Sequence, residues 1–217
     1  MYRVKFETFV IGGNEYVIRS LQDRQQFHDP KGIAESMGIL SATWSLFGNV
    51  WPSGLILADI MSTYDVAGLH ILEVGCGLGI ASLIANERGA WHTASDHHPL
   101  AGYFLHENNM LNNLPPIHFE RCDWAGPISS MGLFDLIIGS DLLYEPHHPA
   151  LLSNFISLHS APLAKVIIID PERRQQSNFN RQMEQLGFTS SFTRPTEEQA
   201  QSRNFKGKIL EYCRNIQ

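Results

Sequence analysis

The sequence predicts an α/β protein in which a mostly parallel β-sheet is covered by helices on both faces. Residues 136–138 and 166–169 are continuous apolar segments, which are typical of strands buried on both faces of a parallel sheet. From residue 71 onward, apolar segments of strand length alternate with stretches of helical length. A glycine-rich loop follows the first of these strands. Together these observations predict a Rossmann-like sheet of seven mostly parallel strands.

An N-terminal β-hairpin is predicted to precede this sheet. Residues 4–10 and 15–19 alternate bulky and polar side chains around Gly12-Gly13-Asn14, and these three residues tolerate the positive φ of a tight turn. Residues 29–48 show only weak periodicity and receive no assignment. Pro52 favours the start of a helix, whose buried face is expected to include Leu55, Leu57, Ala58 and Met61.

The remaining elements follow in alternation. We expect strands at residues 71–74, 91–95, 117–122, 134–139 and 166–169. Helices are expected at residues 80–87, 99–112, 151–159 and 176–186, and an antiparallel hairpin at residues 188–194 and 208–214. The sequence contains no repeat, low-complexity tract or long linker. Residues 1–217 are therefore predicted to form one domain, with 1–50 as the N-terminal hairpin and cap segment and 51–217 as the Rossmann-like core.

Charge and cysteine content exclude several classes of protein. The chain of 217 residues carries a formal charge of -6, which argues against an extended nucleic-acid-binding surface. Cys76, Cys122 and Cys213 form no C-x-x-C pair, so we interpret them as reduced, mostly buried thiols. Residues 1–9 lack the apolar segment of a signal peptide, and no stretch is long enough to span a bilayer. A cytoplasmic protein without membrane contact is predicted.

The loop after the first core strand carries the strongest functional signal. It reads Glu73-Val74-Gly75-Cys76-Gly77-Leu78-Gly79 and ends a strand, where open α/β sheets bind their ligands. A dinucleotide-binding fingerprint would require glycine at position 80, which is Ile80. The charge of Glu73 would oppose a pyrophosphate but suits a cofactor with an ammonium and a sulfonium group. The loop therefore favours S-adenosylmethionine over a dinucleotide, and a ligand over a turn that binds nothing.

Asp96 closes the second core strand and is the predicted partner of the cofactor's ribose. It follows Gly75 by about the 20 residues that separate the glycine loop from the ribose-binding acid in nucleotide folds. An alternative role is an N-cap for the helix that starts near Pro99. The combination of loop, spacing and strand end favours the ribose role.

These features resemble the class I (seven-β-strand) methyltransferases, and within them the lysine methyltransferase group, which includes nicotinamide N-methylase-like proteins. The resemblance extends over nearly the whole chain and is carried by Trp51-Pro52, residues 71–79, Ser95-Asp96, Asp123-Trp124 and residues 134–145. It implies S-adenosylmethionine as the cofactor, with Asp96 at the ribose, Trp124 at the border of the adenine and Trp51 over the pocket. The full set of predicted cofactor-binding residues is Trp51, Glu73, Gly75, Cys76, Gly77, Gly79, Asp96, Asp123, Trp124 and Ser140.

The segment Ser140-Asp141-Leu142-Leu143-Tyr144 follows the fourth core strand, beside the expected methyl donor. Methyltransferases that act on nucleobase amino groups or on glutamine resemble Asn-Pro-Pro-Tyr at this place, whereas this segment resembles the Asp-x-x-Tyr motif of the lysine group. Asp141 and Tyr144 are the predicted catalytic residues. An anionic Asp141 would attract and orient a lysine ammonium, and Tyr144 would align the nucleophile. In the alternative interpretation, Asp141 caps a turn and Tyr144 is a packing residue.

Two histidine pairs and one charged segment are left outside the predicted site. His97-His98 and His147-His148 each follow a predicted strand, but adjacent histidines point in different directions and no carboxylate spacing accompanies them. We expect solvated loop residues and no metal site. Residues 170–174 end the fifth core strand, where mixed charge suits either a polypeptide substrate or a solvated helix entrance.

The leading functional hypothesis is an S-adenosylmethionine-dependent N-methyltransferase that modifies a lysine side chain of a protein substrate. The first alternative is a small-molecule amine or heterocycle N-methyltransferase, which needs the same cofactor site and a narrower acceptor pocket. The second is a cofactor-binding protein without transfer activity.

Overall fold

The structure is a computed structural model that describes residues 1–127 and 130–214. Its strands are β1 (Val4–Ile11), β2 (Asn14–Leu21), β3 (His70–Val74), β4 (Trp91–Asp96), β5 (His118–Arg121), β6 (Phe134–Ser140), β7 (Ser160–Asp170), β8 (Phe188–Thr193) and β9 (Lys208–Arg214). Its α-helices are α1 (Ile33–Ser36), α2 (Pro52–Met61), α3 (Ile80–Glu87), α4 (Ala101–Leu111), α5 (His148–His159), α6 (Gln176–Gln185) and α7 (Glu197–Ser202), and Trp44–Gly48 form a 3₁₀ helix.

Strands β3 to β9 form one sheet of seven strands in the order β5-β4-β3-β6-β7-β9-β8. The five strands from β5 to β7 in this order are parallel, and β9 pairs antiparallel with both β7 and β8. The predicted Rossmann-like sheet with an antiparallel C-terminal hairpin is therefore confirmed. The chain moves from β3 to β4 on one side and returns to β6 on the other, which opens a crevice at the carboxyl ends of these strands.

The core lies on both faces of this sheet because successive residues of its strands point to opposite faces. Ile71 packs into a cluster with α2, α3 and α4, whereas its neighbour Leu72 packs into a second cluster with α5 and α6. The predicted helix at Pro52 is confirmed, and all four residues expected on its buried face are buried, namely Leu55, Leu57, Ala58 and Met61. Continuous apolar strands are thus explained by burial on two sides.

The N-terminal hairpin is confirmed, and α4 covers its inner edge. Gly12 and Gly13 both have positive φ, 58° and 86°, as a two-residue hairpin turn requires. The Asn112 side chain accepts a bond from the Val17 amide at 2.8 Å and donates to the Val17 carbonyl at 2.9 Å. The side-chain oxygen of Asn108 accepts from the Arg19 amide at 2.7 Å, while its nitrogen donates to the Leu78 carbonyl at 3.2 Å. The two asparagine side chains therefore take the hydrogen-bonding positions that a neighbouring strand would fill, and Asn108 joins the hairpin to the glycine loop.

Some elements differ from the prediction. Residues 29–48, which received no assignment, contain α1 and the 3₁₀ helix, both too short to show periodicity. Helix α7 was not predicted, although Thr196 and Gln199 form a capping box at its start. Strand β7 begins at Ser160 rather than at residue 166, and α5 begins at His148 rather than at residue 151.

Candidate active site

The loops after β3, β4, β6 and β7 lie together at the carboxyl edge of the sheet, and they carry most of the predicted site residues. In the glycine loop, Gly75, Gly77 and Gly79 all have positive φ, 61°, 54° and 71°. A side chain at Gly77 would lie 2.7 Å from the Phe47 carbonyl oxygen, and one at Gly79 would overlap Leu105. The protein's own packing therefore requires glycine at positions 77 and 79.

Backbone amides of this loop are bound within the protein. The Cys76 amide donates to the Ser95 carbonyl at 2.9 Å, and the Gly79 amide donates to the Cys76 carbonyl at 2.8 Å. The Cys76 thiol is buried in the core, and burial raises its pKa well above the usual value. Cys76 thus shapes the loop through its backbone, while its side chain is a neutral core group.

Glu73 points from β3 to the start of α3. Its buried carboxylate accepts hydrogen bonds from the Ser82 amide at 2.9 Å and from the Ser82 hydroxyl. The same hydroxyl lies 2.7 Å from Nε2 of His92. A helix N-terminus after a glycine loop is where dinucleotide folds bind a pyrophosphate. The carboxylate of Glu73 already occupies this position, which favours a cofactor without a phosphate group there.

The charge of Glu73 has no cationic partner among residues 1–127 and 130–214. Burial raises the pKa of Glu73 to about 7, against the opposing effect of its hydrogen bonds from Ser82. Burial also lowers the pKa of His92 to about 3, so this imidazole is neutral and supplies no positive charge. A bound ammonium or sulfonium group would stabilise the ionised carboxylate.

Replacing Glu73 by glutamine is expected to stabilise the protein at alkaline pH. The folded-state pKa near 7 lies above the usual 4.5, so the cost of ionisation is absent below pH 4.5 and grows as pH rises through 7. The cost of ionising Glu73 in the folded protein reaches about 3 kcal/mol, because its pKa is raised from 4.5 to about 7 and one pKa unit corresponds to about 1.4 kcal/mol. Thermal unfolding at pH 5 and pH 8 measures it. The gain of Glu73→Gln over wild type should appear mainly at pH 8, and an equal gain at both values would contradict the burial argument. Glu198→Gln, on an exposed carboxylate, is the control.

Asp96 links the glycine loop to the segment after β4. One carboxylate oxygen accepts from the Gly77 amide and the other from the His98 amide, both at 2.8 Å. The alternative role as a helix cap is wrong, since α4 starts at Ala101 and its N-cap residue is Leu100. A carboxylate oxygen accepts more than one hydrogen bond, so Asp96 retains acceptor capacity for a ribose hydroxyl.

An aromatic row runs from the glycine loop to the segment after β6. Trp124 lies 3.8 Å from the place a Gly75 side chain would take. Its ring meets His148 edge-on at 5.3 Å, and His148 meets Tyr144 edge-on at 4.5 Å. His148 is held by a hydrogen bond from Nδ1 to the Leu142 carbonyl at 2.7 Å. The row thus joins the residue predicted beside the adenine to the residue predicted beside the acceptor.

Asp141 is bound by an arginine that was not among the predicted site residues. Nε and a terminal nitrogen of Arg173 donate to its two carboxylate oxygens at 2.8 and 2.9 Å, the bidentate geometry of a strong charge pair. Asp141 has a positive φ of 54°, and its amide donates to the Ile169 carbonyl at 2.8 Å. The carboxylate is therefore aimed at Arg173 instead of capping the following turn.

Tyr144 extends from the same segment into solvent. It is 45% exposed, and its ring packs against the edge of His148, so it lies outside the core; whether it packs or aligns an acceptor stays a prediction. Partial burial, followed by the charge of Asp96, raises the pKa of Tyr144 to about 12, with Arg173 acting in the opposite direction. The hydroxyl is therefore neutral at physiological pH and is a hydrogen-bond donor or acceptor, not a base.

Arg173 is positioned by the turn that ends β7. The fully buried Asp170 accepts a hydrogen bond from the Arg173 amide at 2.7 Å. Burial raises the pKa of Asp170 to about 6. The sequence signal that could have identified Arg173 as a site residue is its position just after the carboxyl end of a strand that neighbours β6. Such a side chain shares the edge on which Asp141 lies.

Trp51, Ser140 and Asp123 lie at the margins of this edge. The Trp51 indole donates to the Leu46 carbonyl at 2.9 Å and lies 5.4 Å from the Arg24 guanidinium. The Ser140 hydroxyl is 3.7 Å from the place a Gly54 side chain would take, so the first turn of α2 adjoins the end of β6. Asp123 is exposed, and its carboxylate turns back to accept from the Ala125 amide.

The expectation of solvated histidines is only partly correct. His147 is exposed, but His98 is buried and stacks on Phe47 with ring centroids 3.7 Å apart. Burial lowers the pKa of His98 to about 3. His97 is half-buried and bonds the Met37 carbonyl at 3.0 Å. Aromatic partners from the N-terminal segment cover His98, and these contacts could not be read from residues 29–48.

In the part of the chain that the structure describes, the three cysteines are free thiols, and there is neither a metal-binding cluster nor a membrane-spanning helix. Cys76 is a buried free thiol, and Cys122 and Cys213 are half-buried free thiols. Residues 1–127 and 130–214 contain no group of three His, Cys, Asp or Glu side chains that could hold a metal ion. In the same part of the chain, every helix is too short or too polar to cross a membrane.

Two curated proteins illustrate the relationship to known sequences. The chain is 32% identical over 140 residues to the electron transfer flavoprotein beta subunit lysine methyltransferase of Xenopus laevis, covering 62% of this chain and 54% of that relative. It is 27% identical over 192 residues to protein N-lysine methyltransferase METTL21A of Xenopus tropicalis, covering 80% of this chain and 86% of the relative. The chain thus spans about half of the first relative and most of the second.

Solved structures show the same fold. The ribosomal protein L11 methylase of Lactobacillus delbrueckii subsp. bulgaricus superposes with a TM-score of 0.57 at 20% identity, covering 74% of this chain and 78% of that one. A family model described as lysine methyltransferase matches residues 40–186. This match includes the glycine loop, Asp96 and the segment from Asp141 to Tyr144. The chain belongs to the lysine methyltransferase family.

Proposed function

We propose that this protein transfers a methyl group from S-adenosylmethionine to a lysine side chain of a protein substrate. The observation that carries the proposal is the contact between the Asp-x-x-Tyr segment and the glycine loop. Leu142, between Asp141 and Tyr144, fills the space where Gly75 would carry a side chain. The predicted acceptor residues are thereby held against the predicted cofactor loop.

The residues at the carboxyl edge fit S-adenosylmethionine. Asp96 would accept hydrogen bonds from the ribose hydroxyls, and Trp124 would border the adenine. Glu73 places a buried negative charge behind the loop with no protein cation beside it among the described residues. When bound, the cofactor supplies an electrophilic methyl group on a positively charged sulfur.

Asp141 and Tyr144 would bind and orient the acceptor. The carboxylate of Asp141 attracts a lysine ammonium, and Arg173 keeps that carboxylate aimed along the edge. The neutral Tyr144 hydroxyl can accept a hydrogen bond from the amine or donate one to water. The ammonium must lose a proton before it attacks, and the partial exposure of Tyr144 and Arg173 leaves a route for that proton to solvent. Most of the acceleration would come from positioning.

Labelled S-adenosylmethionine and a cell lysate test this proposal. We expect label in one or a few protein bands, with the modification on lysine by mass spectrometry, and about a hundredfold slower labelling when the Asp141→Asn variant replaces wild type. Label in small molecules alone, or on arginine, would contradict the protein-lysine assignment. Calorimetric binding of the cofactor without any transfer would instead identify a cofactor-binding protein.

We further propose that residues 1–217 act as one domain in the cytoplasm. Ile11, Tyr16 and Ile18 of the hairpin share one hydrophobic cluster with α2 and β3, which supports a common folding unit. Free thiols at three positions suit a reducing compartment. The charge of -6 supports a protein substrate in preference to an extended nucleic-acid surface.

A further inference from the structure

We propose that the outer edge of β1 binds an extended segment of the acceptor protein as an added β-strand. This inference rests on the proposed function, because it assigns the surface on which the protein substrate is held. Main-chain hydrogen bonds to an exposed strand edge are a recurrent means of binding extended peptides.

Hydrogen bonds on the inner side of the hairpin show which backbone groups of β1 point outward. Val17 and Arg19 bond Asn112 and Asn108 of α4, so their backbone groups point away from β1. Their partners across the hairpin are Thr8 and Phe6. In an antiparallel pair, residues opposite each other without mutual bonds point outward on both strands. The amides and carbonyls of Phe6 and Thr8 therefore face outward.

These outward groups form a free edge of limited length. The carbonyl of Val10, the next outward residue, accepts from Arg203 at 2.6 Å, and this bond closes one end. Phe6 and Thr8 are exposed and have no hydrogen-bond partner on this edge within residues 1–127 and 130–214. The edge therefore has the outward amides and carbonyls of Phe6 and Thr8 available for strand pairing, and it is open at the Val4 end.

The open end of the edge leads toward the candidate active site. Arg203, at the closed end, is also bound to Asp59 in the last part of α2. Lys5, at the open end, lines a cavity with Pro52, the first residue of α2. The first turn of α2 adjoins Ser140. A strand added to β1 would thus run along α2 toward the residues predicted to hold the lysine.

A groove between β1 and α2 would receive alternate side chains of the added strand. Its cavity has a volume of about 220 Å³. Apolar lining residues include Phe9, Leu21 and Leu55, and charged ones include Lys5, Glu7 and Arg24. Lys5, Glu7 and Phe9 share one face of β1, so an added strand presents every second side chain to the same groove. The groove therefore selects residues at fixed spacing from the lysine.

The occupant is an acceptor segment because the groove is lined by Pro52 of α2, whose first turn adjoins Ser140 beside Asp141. Arg24 lines the groove and also lies against Trp51, and Trp51 immediately precedes α2. A peptide held here keeps a fixed register, so the distance between the paired segment and its lysine must match the path to Asp141. If the edge instead paired with a second copy of this chain, the distance from the paired segment to Asp141 would have no role. A measurement of the oligomeric state distinguishes this case from substrate binding.

The test compares Thr8→Pro with Thr8→Val in methylation of a positional-scanning library of peptides with one lysine. Proline removes the outward amide of Thr8 but no bond between β1 and β2, whereas valine keeps the amide. We expect Thr8→Pro to raise KM about tenfold, with kcat and cofactor affinity unchanged and Thr8→Val near wild type. Thermal unfolding confirms that both variants fold. The preferred library members should carry their lysine at one fixed distance from the best-selected side chains.

A measurement on the wild-type protein covers the case in which the proline disturbs the hairpin. Hydrogen exchange of the Phe6 and Thr8 amides should slow when the preferred peptide is added. Unchanged exchange, equal KM for Thr8→Pro and Thr8→Val, or a wild-type dimer that becomes monomeric in Thr8→Pro would each overturn the docking assignment alone. Wild-type protein that methylates neither the library nor lysate proteins refutes the proposed function together with it.

Discussion

Replacing Asp141 by asparagine is expected to lower kcat about a hundredfold while the dissociation constant of S-adenosylmethionine stays within about twofold. The change removes the charge that attracts the lysine ammonium and leaves Arg173 without its bidentate partner. The pair with Arg173, which is 41% exposed, contributes little energy by itself. A hundredfold loss in rate corresponds to about 2.7 kcal/mol of transition-state stabilisation, which we assign to the attraction and orientation of the lysine. Turnover and calorimetric titration measure the two effects separately.

Asparagine is the informative substitution at this position because of the backbone. Asp141 has a φ of 54°, and asparagine tolerates this left-handed conformation better than most residues. Asp135→Asn is the matched control, since Asp135 lies on β6, the strand that Asp141 follows. Within residues 1–127 and 130–214, its carboxylate accepts only from the exposed His70 amide, at 3.0 Å. Turnover of Asp141→Asn within threefold of the control would remove Asp141 from the acceptor site.

Replacing Gly77 by alanine is expected to abolish measurable cofactor binding and to lower the melting temperature. The left-handed backbone costs a non-glycine residue roughly 1–2 kcal/mol. The added carbon would also lie 2.7 Å from the Phe47 carbonyl oxygen, so the loop or the 3₁₀ helix must move. Movement of the loop breaks the 2.8 Å bond between the Gly77 amide and Asp96, which positions the carboxylate that we propose binds the ribose.

Gly89→Ala separates backbone strain from this collision. Gly89 has a φ of 81°, and a side chain there would meet no atom within 4 Å. The control should therefore lose stability through φ alone and retain cofactor binding. Calorimetric titration and thermal unfolding of both variants give the comparison. If Gly89→Ala and Gly77→Ala lose the same stability and bind the cofactor equally well, packing against Phe47 does not shape the loop.

Periodicity allowed most of the fold to be predicted because the core strands are buried on both faces. The continuous apolar segment at residues 166–169 predicts an internal strand, and β7 contains this segment. The insertion of β9 between β7 and β8 could not be predicted, since apolar patterning reports burial and not the neighbour in the sheet. Residues 29–48 were unreadable because their helices are only four and five residues long.

The candidate site was predictable where its residues end strands, and less so where contacts cross between loops. Asp96 and Asp141 were selected by their place after a strand, but the role of Arg173 depends on a side-chain pair across two loops. Likewise, the glycine loop was selected as a cofactor-binding loop, whereas the contact that requires Gly77 comes from Phe47 in a distant segment. The position of a residue in the sequence indicates that it lies at the carboxyl edge of the sheet. It does not indicate which side chains from other loops that residue contacts.

The side chain of Asn108 gives the hairpin and the glycine loop a shared support. One amide group bonds both the Arg19 backbone of β2 and the Leu78 carbonyl of the loop, so ordering one side restricts the other. Binding free energies at two linked sites are coupled reciprocally. A substrate strand on β1 and a cofactor on the loop are thus expected to raise each other's affinity by the same factor, which favours formation of the ternary complex over either binary one.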